Sequence, residues 1–190
     1  MSFFKKFKTS AIGPKTDSDI IFSLSSAYAI LETKLSLEIT GKCALSIKDT
    51  SGMYFSEMKE DIQRFLDISK PDFELSHSMR VDKYGYLWIV LEGSYMDDIL
   101  TGIAAMSDTI AEKGFSNQLL ITAFEFLSTK SNDKQYLIYN YKLSRFYPFV
   151  PSDNKTRRIE DELKIMAAVA DKLPFERDMT LWYPIWELPF

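Results

Sequence analysis

The chain has 190 residues, 46% of them hydrophobic and 26% charged, with one cysteine and a formal net charge of -4. These values describe a single soluble globular domain, long enough to bury a sizeable core, and they exclude a wholly disordered chain, a disulfide framework and a cysteine-built zinc site. No apolar run approaches the roughly 18 residues that span a bilayer and no secretory signal stands out, so a cytoplasmic protein is expected.

Charge is distributed unevenly. Lys5, Lys6, Lys8 and Lys15 fall near the start with no acid among them, which leaves the rest of the chain acidic. An acidic body argues against a nucleic-acid-binding face. Read as a helix, residues 2–8 place Phe3, Phe4 and Phe7 on one stripe with Lys5, Lys6 and Lys8 around it. That pattern suits weak contact with an anionic membrane surface or a partner's groove. It suits equally a tail whose phenylalanines dock on its own core. Residues 1–17 are set apart as a basic, aromatic N-terminal segment, and 18–190 read as one domain.

The domain alternates helical and extended patterns. After a cap at Ser18, Ile21, Leu24, Tyr28 and Leu31 recur at helical spacing. Leu35, Leu37, Ile39, Cys43, Leu45 and Ile47 then fall on odd positions with polar residues on the even ones, which predicts a half-buried strand bent at Gly41. Phe55, Met58, Ile62 and Phe65 predict a second helix, ended before Pro71. Phe73 to Val81 alternate again, and "DKYG" (82–85) reads as a hairpin turn into "YGYLWIVLEGS", a strand apolar on both faces and so central. Ser94 with Asp97 predicts a capped helix along Ile99, Ile103, Met106 and Ile110, stopped at Lys113-Gly114. "NQLLITAFEFL" and "KQYLIYNYKL" predict a second hairpin that runs to about Leu143, where Pro148 and Pro151 end the pairing. A last helix carries Ile159, Leu163, Met166, Ala170 and Leu173, and the aromatic tail "LWYPIWELPF" is too apolar to dangle. The fold class is α+β: a mainly antiparallel sheet of about five strands with helices packed on it.

Candidate chemistry is sparse. His77 is the only histidine and shares a strand face with Leu75 and Met79, which suits a hydrogen-bonded or edge histidine better than a catalytic base. Cys43 sits on the buried face of its strand, where thiols are inert. One histidine and one cysteine do not make a metal site, and neither GxxxxGK nor GxGxxG occurs, so no cofactor is expected. Acidic pairs such as Asp97-Asp98 stand at helix starts, where the helix dipole accounts for them. In "SRFYPFVPSDNKTRR" (144–158) the aromatics cap a sheet edge, and Arg145, Tyr147, Arg157 and Arg158 are the candidate partner surface; simple packing is the competing reading.

"MSFF", "DKYGYLWIV" (82–90), "IAEKGFSNQLL" (110–120), "LIYNYKLSRFYPFVP" (137–151), "RRIEDELKI" (157–165) and "LWYPIWELP" (181–189), in that order and spacing, resemble the PspA-associated family usually called PspAB. The resemblance implies a non-enzymatic accessory role in a phage-shock-type membrane-stress response. PspA or a membrane peptidase is the implied partner, and the implied location is the cytoplasm, at times peripheral at the inner face of the membrane. It would also place a His and an Asn just before the "GF" helix end. This chain reads "AAMSDTIAEKGF" there, with no histidine, and no catalytic residue is carried over. The alternatives are a chaperone-like peptide-binding module and a small hydrolase with an unrecognised site. An exposed apolar groove would favour the first of these, and a concave site with convergent polar groups the second.

Overall fold

The computed structural model describes residues 15–48, 52–69 and 75–190. Its elements run α1 (Asp17–Leu35), β1 (Leu37–Lys48), α2 (Met53–Ser69), β2 (Leu75–Val81), β3 (Tyr86–Gly93), α3 (Met96–Glu112), β4 (Leu119–Ser128), β5 (Lys134–Asn140), β6 (Arg145–Phe149) and α4 (Ile159–Val169). The strands form one six-stranded antiparallel sheet in the order β2-β3-β1-β4-β5-β6, so the fold is α+β. The basic segment from Phe3 to Lys8 lies outside the described residues.

Helical spacing selects the buried faces of the first three helices. Ile21, Leu24 and Leu31 of α1, Phe55, Met58 and Ile62 of α2, and Ile99, Ile103, Met106 and Ile110 of α3 are all buried. They pack on a sheet face built by Cys43, Leu45 and Ile47 of β1 with their cross-strand partners Leu91, Ile89 and Leu87. Helix α1 begins two residues earlier than the sequence predicts: Thr16 is the cap, with Asp19 closing a reciprocal capping box. At α3 the cap is Tyr95 and not Ser94. Asp97 does not close a box there but accepts a hydrogen bond from Ser25 of α1 at 2.9 Å.

Three expectations are corrected. β1 is not half-buried: from Cys43 to Ile47 both of its faces are covered, because it is an inner strand and the C-terminal tail lies on the side away from the helices. Pro148 does not end the pairing: Arg145–Phe149 pairs with β5 and makes the sixth strand. The reason is register. Phe146 directs its N–H to Pro174 O and its C=O to Glu176 N, away from β5. Two residues on, Pro148 faces the same way, so its missing N–H costs the ladder nothing. In α4 the buried residues are Glu162, Ile165 and Val169, while Ile159 and Leu163 are exposed. An acid occupies a core position and shifts the apparent apolar stripe.

Gly41 allows the bend in β1. Its φ is +84°, and a Cβ there would stand 2.3 Å from Gly93 O, so only glycine fits. The ladder with β4 shifts register between Ile39 and Cys43, around this bend.

Candidate functional site

Among the described residues, the side of the sheet away from α1, α2 and α3 holds the candidate site. One cross-strand row, Trp88–Ser46–Ile121–Asn140, runs over four neighbouring strands. The adjacent row contains Ala44 and Ala123, whose small side chains leave room for the tail to lie on the sheet. Ile185, Leu188 and Phe190 pack there against Ala44, Trp88 and Val90. Phe190 stacks on Tyr136 at 6.3 Å and Trp186 meets Phe149 edge-on at 5.2 Å. The tail therefore packs on the domain, as its apolar character predicts.

A buried ion pair fixes the tail. Glu162 is fully buried and receives two hydrogen bonds from Arg157, at 2.9 and 2.8 Å, and a third from Val150 N at 2.9 Å. Arg157 donates again to Trp182 O at 2.6 Å and lies 5.7 Å over the Phe149 ring. Tyr147 donates to Tyr183 O at 3.1 Å. At the far end Lys83 pairs with Glu187 at 2.7 Å and joins the tail to the 82–85 turn.

Between these two fastenings the tail bridges a cleft of about 530 Å³. The Trp88–Asn140 row lines its base; Tyr84 and Tyr86, Lys142, Lys155, and residues 183–187 line the rest. Tyr84, Tyr86 and Tyr183 are 64%, 38% and 53% exposed, so three tyrosine rings ring the mouth. Lys155 reaches it from a tight loop in which Asn154 and Lys155 both hold left-handed φ, 59° and 54°. That conformation costs a non-glycine residue on the order of 1 kcal/mol or more and persists only where surrounding bonds impose it.

Asp82, Asn140, Lys142 and Glu187 of the cleft are committed to structure. Asp82 accepts from Trp88 Nε1 at 2.9 Å and from the backbone of Tyr84 and Tyr86 at 2.8 and 3.0 Å. Burial alone would raise its carboxyl, but hydrogen bonds from Trp88, Tyr86, Tyr84 and Gly85 outweigh it and hold the group below the usual carboxylate range. Lys142 Nζ donates to Asn117 O, and Asn140 Oδ1 accepts from the backbone of Lys142 and Leu143. What the cleft offers a visitor is aromatic surface with a cationic rim.

The residues considered for nucleophilic or metal chemistry lie elsewhere. Cys43 is fully buried and its thiol is pushed far above its usual range by that burial, so it is inert. His77 sits on the edge strand β2 with Nε2 2.8 Å from Gln63 Nε2 and 3.4 Å from Asp67. Among the described residues no group of three or more His, Cys, Asp or Glu side chains could hold a metal, and no helix is long and apolar enough to cross a membrane.

The four residues read as a partner surface are not brought together as one. Tyr147 is a core residue, fully buried. Arg157 is occupied by Glu162 and Trp182 O. Arg145 is half exposed and 3.9 Å from Glu176, and Arg158 pairs with Asp133 at 2.5 Å. The physical reason is that β6 continues the sheet and is covered on both faces, so every residue of "RFYPF" after Arg145 is buried. The residues that do meet, Tyr84, Tyr86, Lys142 and Tyr183, read in sequence as a turn, two strand ends and the tail. The signal was an excess of tyrosine at positions no core required.

No curated protein and no solved structure matches this chain. A family model matches it throughout, from residue 1 to residue 190, and by that match the chain belongs to the PspAB family, PspA associated protein B.

Proposed function

We propose that this protein is a non-enzymatic accessory factor that binds PspA in a membrane-stress response, with the tyrosine-rimmed cleft as its contact. The carrying observation is the cleft mouth: three exposed tyrosines surround a cavity in which Asp82, Asn140, Lys142 and Glu187 are already bonded within the protein. Aromatic rings of this kind bury large area at small entropic cost and anchor protein interfaces. A hydrolytic site would need a free acid or base aimed at the cavity. A membrane peptidase as second partner, and weak contact of Phe3, Phe4, Lys5, Lys6, Phe7 and Lys8 with an anionic membrane, belong to the same proposal.

The chaperone-like alternative is favoured by one feature. The tail is itself a proline-broken apolar segment lying on this face, so the face accepts an extended chain. Pulldown from native lysate, with and without membranes, separates the readings. The intact chain should recover PspA, and a Tyr86→Ala, Tyr183→Ala variant should not. Failure of the intact chain to recover PspA would sink the first reading. Recovery of many unrelated apolar polypeptides would favour the chaperone. In the membrane-free sample PspA should still be recovered. Changing Lys5, Lys6 and Lys8 to Glu should reduce recovery only where membranes are present.

A further inference from the structure

A second cleft, of about 420 Å³, lies at the opposite end of the sheet, between the last turn of α1, the β4–β5 turn and the first turns of α4. Its lining mixes apolar surface from Leu35 and Ile165 with polar groups, and most of the charged ones are cations. Lys34, Lys130, Arg158 and Lys164 contribute to it, with Ser128, Ser131 and Gln135 between them and Asp161 as the acid. In a chain of net charge -4 such a convergence of four cations is a local inversion of sign.

Two of the cations are balanced by neighbours. Lys164 pairs with Glu160 at 2.9 Å and Asp161 at 3.0 Å, and Arg158 Nη1 pairs with Asp133 at 2.5 Å. Lys34 and Lys130 have no ion-pair partner among the described residues, so they are the surplus. Arg158 is the unusual member. Its Nε and Nη2 are buried and make no hydrogen bond, with Asp161 no nearer to Nε than 3.5 Å. These two donors form one edge of the guanidinium, the edge that matches two oxygens of a phosphate or carboxylate. Buried donors left without partners are uncommon in folded proteins and call for an ion or a water that satisfies them.

We infer that this cleft is a binding site for a small oxyanion, inorganic phosphate or the phosphate group of a monoester. Arg158 supplies the bidentate edge, Lys34 and Lys130 supply the unbalanced charge, and Ser131 and Gln135 supply further polar contacts. Asp133 and Asp161 hold the guanidinium in place and keep the empty site from being strongly positive. Such a site makes the protein responsive to phosphate or a phosphorylated metabolite, independently of what occupies the tyrosine-rimmed cleft.

The test is titration of the full chain with inorganic phosphate and, separately, glycerol 3-phosphate, at constant ionic strength with chloride as control, read by backbone amide NMR. Saturable shifts confined to residues 128–135 and 158–164 are expected. Lys34→Gln with Lys130→Gln, both exposed and safe for folding, should weaken binding at least tenfold, and Arg158→Gln should abolish it. Preference for the ester over inorganic phosphate would identify a phosphorylated metabolite as the source, and the reverse would identify the free anion. Shifts that do not saturate, shifts centred on Lys142 and Lys155, or equal binding by the double lysine variant would overturn the assignment.

Discussion

The two faces of the sheet are held by different physics. On the helix side, Ile and Leu side chains from α1, α2 and α3 meet Cys43, Leu45 and Ile47, and burial of apolar area does the work. On the other side the cover is a single irregular segment, fixed by a buried ion pair, two side-chain bonds to its backbone and aromatic edges. An aliphatic face tolerates change in proportion to volume. A polar clamp fails when one member is removed. The tyrosine-rimmed cleft is on the clamped face, where specific bonds leave a cavity open that close packing would fill.

The largest effect should follow from breaking the clamp. Arg157→Ala leaves Glu162 buried and unpaired and frees Trp182 O. Loss of one partner of such a pair costs about 3–5 kcal/mol. At about 2–4 °C per kcal/mol for a chain of this length, the melting temperature should fall by more than roughly 6 °C. Replacing both partners, Arg157→Met with Glu162→Leu, should recover much of the loss. If the single variant melts like the intact protein, the clamp is ornamental and the contrast between the faces is wrong.

The helix side should answer more quietly. Ile103 is fully buried in α3, and Ile103→Val removes one methylene, at a cost of about 0.5–1.5 kcal/mol. PspA recovery should be unchanged, because nothing in the cleft moves. Denaturant midpoints measure the first and pulldown the second. A loss of binding with this variant would mean that the two faces are coupled.

The same contrast explains what the sequence made legible. Helical spacing located the buried faces of α1, α2 and α3 because packing there depends on apolar side chains alone, and alternation located Cys43, Leu45 and Ile47. Where a polar group does structural work, pattern misled. Glu162 in a core position displaced the apparent stripe of α4, Pro148 hid an edge strand whose outward nitrogen needed no donor, and the tail's cover on Ala44 was invisible from β1 itself. Tyr84, Tyr86 and Tyr183 come from distant stretches, and only the fold brings them round one cavity. The resemblance reached the family, but the matched pieces gave no sign that two of them, "DKYGYLWIV" and "LWYPIWELP", line one cleft.

A smaller and conditional effect concerns pH. The lowered Asp82 carboxyl ties the 82–86 turn to Trp88. A carboxyl whose folded value lies below its unfolded value of about 3.9 stabilises the protein above that pH and ceases to as pH falls through the folded value. Acid should therefore loosen the cleft turn, and Asp82→Asn should remove that part of the acid dependence. Comparison of urea midpoints at pH 6 and pH 3 for both proteins checks it. Equal acid losses in the two would show that other carboxyls dominate.

The smallest effect on stability should accompany the largest on function. Tyr84 is 64% exposed, and its backbone, not its ring, bonds Asp82. Lys83 is also its neighbour, with Nζ 5.0 Å over the ring and a side-chain hydrogen bond between the two. Surface changes away from such features usually stay within about 0.5 kcal/mol, so Tyr84→Ala should melt almost as the intact protein does. An exposed ring at a cleft mouth is nevertheless what a partner would bury, and truncation of such an anchor typically costs about 1–2 kcal/mol or more of binding, roughly tenfold in affinity. Paired measurement of melting temperature and PspA affinity on this one variant divides fold from function. A large drop in stability would mean the ring holds the turn. Unchanged stability with unchanged affinity would move the contact away from the cleft, and with it the reason for keeping one face of the sheet under so light a cover.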